Sequence, residues 1–152
     1  MTRPGTVARP APTLAGTAGR FRYLAIVVRV NAAIGVVFGA ATVALGPLLM
    51  ASSGADFSGS VLTDPAFNSQ LRYLGAVQAG SGVALWWAAG DLRGRASLLR
   101  ILAGTMFVGG LGRVLSSLLF GVGGWTNVVS ITIELVLPVI IVVWHRRLLR
   151  RD

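Results

Sequence analysis

The sequence predicts an all-α protein: four transmembrane helices in an up-down bundle, with both termini cytoplasmic. Three observations carry this prediction. Hydrophobic residues make up 54% of the 152 positions and charged residues only 12%, against about a quarter charged in soluble domains. The apolar residues gather into four stretches, about 21–46, 70–89, 98–120 and 127–145, each near the roughly 20 helical residues that a hydrocarbon core requires. The arginines flank these stretches on alternate connections, which is the orientation signal of a multi-pass protein.

Residues 1–19 are rich in proline, glycine, threonine and alanine without hydrophobic period, and read as a flexible cytoplasmic tail. The first span follows and stops at Gly46-Pro47. Its basic start suits a cleaved signal peptide, but the apolar run is too long and carries Arg29 and Asn31. The connection from Ala51 to Ser69 is polar and acidic through Asp56 and Asp64. Asp64-Pro65 reads as an N-cap followed by proline at the first helical position, so the second helix is expected to begin before the bilayer does. The DLRGR turn leads to the third span, GVGGWT to the fourth, and residues 148–152 form a short basic tail.

Outside the spans, arginines lie at 3, 9, 20 and 22, at 93 and 95, and at 146, 147, 150 and 151, while the other two connections have none. The positive-inside rule then puts both termini in the cytoplasm of a bacterial inner membrane protein. Phe21, Tyr23, Trp86, Trp87 and Trp144 fall near the inner interface, Tyr73 and Trp125 near the outer. A net charge of +9 suggests nucleic acid in a soluble protein, but with the arginines at span ends the expected partner is the bilayer, including anionic lipid. Inner-leaflet contacts are expected at Arg22, Arg29, Arg93, Arg95, Arg146 and Arg147. Gly35 and Gly39 form a GxxxG pair, with Ala76, Gly80 and neighbouring small residues as a similar stripe on the second helix. Such stripes serve packing within the bundle or a homodimer face.

Two charges stand inside the last spans. Arg113 lies seven residues before Phe120, and Glu134 seven after Asn127, so each is about 10 Å from the same surface at 1.5 Å per residue. Neither charge is stable alone in hydrocarbon. The pair serves as a register-fixing ion pair, as part of a cavity binding an anionic head group or small ligand, or through Glu134 as a coupling site in a small dimeric transporter. Arg72 and Gln78 on the second helix are candidates for the same cluster. Arg72 otherwise pairs with Asp64 or Asp56, or reaches lipid phosphate. No cysteine is present, His145 is the only histidine, and no serine–histidine–acid set, paired carboxylates or phosphate-binding loop occurs. No cofactor, metal site or enzymatic activity is therefore expected.

The segments NSQLRYLGAVQAGSGVALWWA, GGLGRVLSSLLFG and IELVLPVIIVVWHRR resemble a bacterial domain-of-unknown-function family of small four-helix inner-membrane proteins, broadly similar to DoxX-like proteins. Its marks are Leu71-Arg72-Tyr73, the Gly-x-x-Arg ending at Arg113, and Glu134-Leu135. The resemblance implies a four-helix membrane fold. It also implies a link with quinone-dependent redox complexes, in which this chain would depend on a partner for the cofactor.

Overall fold

The computed structural model describes residues 14–52 and 59–150, and all its regular elements are helices. Four are long: α1 (Leu14–Leu45), α4 (Pro65–Ala89), α5 (Ala96–Phe120) and α6 (Trp125–Leu149). Two short ones, α2 (Pro47–Ser52) and α3 (Gly59–Thr63), fall in the first connection. Helix α1 starts within the segment read as a tail, and residues 1–13 lie outside the described residues. The spans of α1, α5 and α6 are long and apolar enough to cross a membrane. Helix α4 has the length but is diluted by Asn68, Ser69, Gln70, Gln78 and six small residues from Gly75 to Gly82.

Chain punctuation follows local chemistry. Gly46 takes φ +57° and Pro47 follows it, so α1 ends on a left-handed glycine that the next residue cannot continue. Asp64 caps α4 in extended conformation, its Oδ1 accepting from the Phe67 N–H at 2.6 Å. The α5–α6 connection contains Gly121, Gly123 and Gly124, all at positive φ, a backbone path that disfavours any residue with a Cβ.

The long helices form two antiparallel pairs, α1 with α4 and α5 with α6. The first pair is held by backbone proximity. A Cβ built on Gly39 would lie 2.5 Å from the Ala79 nitrogen, and one on Gly82 would lie 2.8 Å from the Ala32 carbonyl oxygen. Gly75 stands equally close to Thr42. The small stripe of α4 is therefore Gly75, Ala79 and Gly82. It is not the expected Ala76 and Gly80, which are exposed, Gly80 having open space where a side chain would be. One residue's shift turns a helix face by about 100°, and composition alone does not distinguish the two faces.

The pairs join each other at one end only. Leu24, Val28, Ala89, Leu92, Leu99, Ile141 and Leu148 form one buried cluster, with Phe21, Leu85, Leu137 and Trp144 against it. All belong to the end where α1 begins and α6 finishes, hereafter the terminal end. His145 is wholly buried there, and its Nε2 donates to the Leu92 carbonyl at 2.6 Å. The Phe21 ring meets the imidazole edge-on. At mid-height Asn31 reaches Met106 across the pairs, 3.8 Å from nitrogen to sulfur. Beyond that level no described side chain bonds across the pairs, and Phe38, Gln78 and Arg113 are exposed.

Candidate functional site

Helical stripes show what lies in the gap. Residues seven apart sit about 20° from alignment on one helix face. On α5 the cluster residue Leu99 leads to Met106, then Arg113; on α6 Leu148 leads to Ile141, then Glu134. On α4 the sequence is Leu92, Leu85, Gln78, and on α1 Leu24, Asn31, Phe38. The terminal-end members of these stripes are packed between the pairs. The loop-end members are not: Phe38 is 41% exposed, and Gln78 and Arg113 are also exposed. By helical register, Phe38 and Gln78 on one pair and Arg113 and Glu134 on the other share the loop-end half of the inter-pair faces, the gap, next to the Asn31–Met106 contact.

Arg113 and Glu134 are in contact. The guanidinium Nε lies 3.0 Å from one carboxylate oxygen and 2.9 Å from the other, and the two side chains are 49% and 23% exposed. Three features set this register. The tight glycine turn fixes residues equidistant from it at one height. Gly110 lets Glu134 and Leu135 approach, since a Cβ there would stand 3.0 Å from that of Glu134. Asn127 then locks the turn by donating to Ser117 Oγ at 3.2 Å and to the Val122 carbonyl at 2.8 Å. Pro138 lacks an N–H, so the Glu134 carbonyl loses its ordinary helical donor beside the carboxylate. Because Nε alone meets both carboxylate oxygens, neither terminal amino group of Arg113 has an acceptor among the described residues. The pair is neutral in sum, yet it presents a fork of charged donors.

Arg72 does not join this pair. Its Nε donates to Asn68 Oδ1 at 2.7 Å, and one terminal amino group donates to the carbonyls of Val43 and, at 3.0 Å, Ala44. The cause is Pro47: with no N–H four residues on, the Val43 carbonyl loses its helical partner. Arg72 supplies the replacement, and its charge sits favourably at the negative end of α1. The guanidinium lies over Gly46, 3.3 Å from where a Cβ would stand. Asp64 instead caps α4, and Asp56 lies outside the described residues. Gln78 faces the gap but makes no side-chain hydrogen bond among the described residues.

The arginines of the terminal end divide in two. Arg93 stands over the Phe21 ring at 5.3 Å, and Arg95 over Trp87 at 4.0 Å while donating to the Trp87 carbonyl. Arg22, Arg29, Arg146 and Arg147 are exposed, with Arg22 and Arg29 on one face of α1, turned away from the gap. The sequence reading passed over His145 as a structural residue. A polar residue seven positions from an apolar core position (Pro138) was the available signal.

Fold and site together define a helical membrane protein with an ion pair bordering an open interhelical gap. Residues 23–145 match the sequence model of the domain of unknown function DUF4345, and the chain belongs to that family. No curated protein and no solved structure matches it.

Proposed function

We propose that this chain is a non-enzymatic membrane protein that holds an amphipathic ligand with an acidic head group, as an accessory component of a bacterial inner membrane. In this reading α4 is a fourth span, the terminal end faces the cytoplasm, and the gap opens in the outer leaflet. The antiparallel contact of α4 along α1 supports the fourth span, since the backbone of one would carry the other across. The arginine distribution supports the orientation. The resemblance of its sequence segments to DoxX-like proteins is consistent with an accessory role beside a partner that brings its own chemistry.

The observation carrying the ligand proposal is the unmatched donor fork of Arg113. A charged donor without an acceptor is costly in an apolar slab. A phosphate or carboxylate head group supplies the acceptors, with the apolar remainder of the molecule against Phe38 and Met106. Glu134 already accepts from the Arg113 Nε through both oxygens, which leaves the terminal amino groups of Arg113 as the unmatched part of the pair.

Native mass spectrometry of protein extracted from its own membrane tests the proposal. Arg113→Ala carries one bound lipid-sized mass fewer than the wild type and Arg29→Ala. An Arg113→Ala variant with the full wild-type complement, or a wild type that carries nothing, contradicts the proposal. Glu134→Gln separates the remaining readings: lower thermal stability points to the ion pair as a structural element. An intact fold that has lost proton-coupled flux points to a transporter instead.

A further inference from the structure

We propose that a second site, on the opposite flank of the α5–α6 pair, seats an anionic phospholipid of the leaflet at the terminal end. There the two helices enclose a groove of about 290 Å³, near the lower end of small-molecule sites. Gly104, Phe107, Pro138 and Val142 line its apolar length, and Arg100 and Arg146 border it towards the terminal end. The groove exists because Gly104 leaves open space where a side chain would stand. It is separate from the Arg113 gap: Gly104 lies about 120° round α5 from Gly110 towards one flank, whereas Arg113 lies about 60° towards the other.

The charge arrangement identifies the occupant. Arg100 sits one turn into α5 and Arg146 one turn from the end of α6, so both are at head-group depth if the helices cross the bilayer. Arg100 donates from Nε to the Ala96 carbonyl at 3.1 Å, leaving its terminal amino groups directed elsewhere. Arg146 has no acceptor among the described residues, and no carboxylate lines the groove. Arg93 and Arg95 differ, each lying against an aromatic ring. Two like charges bordering one groove repel unless an anion lies between them. An anion followed by an apolar channel along the helices matches a phosphodiester head group with its acyl chain. A free phosphate would leave the channel without an occupant.

The full-length protein is reconstituted in phosphatidylcholine containing a minor share of phosphatidylglycerol, and the lipid retained is weighed by native mass spectrometry. The wild type enriches phosphatidylglycerol over its bulk share. Arg100→Gln with Arg146→Gln lowers that enrichment by about thirtyfold, roughly fivefold for each arginine near the surface. Gly104→Leu fills the groove from a backbone position with room for it, and lowers the enrichment as far as the double arginine variant does. Arg147→Gln with Arg150→Gln removes the same charge from the same end and leaves the enrichment close to wild type. Equal loss in this control pair shows diffuse surface attraction and overturns the site, as does undiminished retention in Gly104→Leu. Circular dichroism and thermal unfolding check that each variant is folded; Gly104→Leu decides the matter if the double arginine variant is not.

Discussion

Gly39→Ala probes the contact on which the first helix pair depends. A methyl at Gly39 would sit 2.5 Å from the Ala79 nitrogen, 2.7 Å from the Gly75 oxygen and 3.0 Å from the Ala79 Cα. These are backbone atoms and cannot rotate aside. Restoring ordinary carbon contact, about 3.5–4.0 Å, requires α1 and α4 to separate by roughly 1 Å at the crossing. Overpacking of this kind costs about 1–3 kcal/mol, offset by up to about 1 kcal/mol from the better helix propensity of alanine. A net loss of about 1–2 kcal/mol is therefore expected. Gly80→Ala gains the same propensity on the same pair of helices, but its methyl enters open space, so it is neutral or stabilising. Thermal unfolding in a single detergent, followed by circular dichroism, reads both variants against wild type. Gly39→Ala as stable as Gly80→Ala would refute the assigned α1–α4 register.

Arg72→Gln removes the charged donor that serves the Val43 and Ala44 carbonyls. It costs about 1.5–3 kcal/mol, the range for hydrogen bonds to charged groups, and hydrogen exchange near Gly46–Met50 rises ahead of global unfolding. His145→Phe keeps a ring against Phe21 but loses the donor to the Leu92 carbonyl. Leaving that carbonyl unpaired costs about 1–3 kcal/mol, seen as a lower unfolding temperature and as increased exchange in the Gly90–Arg95 turn.

Parts of this architecture can be read from the sequence because simple counting suffices. Antiparallel helices joined by a tight turn keep equal distances from it at equal heights, so Arg113 and Glu134 fall level before any coordinates are known. The Asp64-Pro65 cap is equally local: a short acceptor and a proline preorganise one helical turn. Arg72 is different. Its partner is a carbonyl left without a donor by Pro47, and recognising this requires the α1–α4 register as well as the proline. The glycine stripe of α4 shows the same dependence, since Gly75 and Gly82 differ from Gly80 only in what lies opposite. The gap is the least legible feature. Leu24, Leu99, Ile141 and Leu148 are no more apolar than residues of the loop-end half. There the glycines of α1 draw it onto α4, while Phe38 stays 41% exposed.

The role of Arg113 as a fork of donors, more than as a positive charge, is tested most directly by Arg113→Lys. Lysine keeps the charge beside Glu134 but offers one ammonium where the guanidinium offers separate Nε and terminal amino donors. The account predicts a folded protein whose native mass spectrum carries one bound lipid-sized species fewer than the wild type. Its occupancy falls by roughly tenfold or more, as expected for losing one or more charge-assisted hydrogen bonds. A folded Arg113→Lys variant that carries the same species at wild-type occupancy would contradict it.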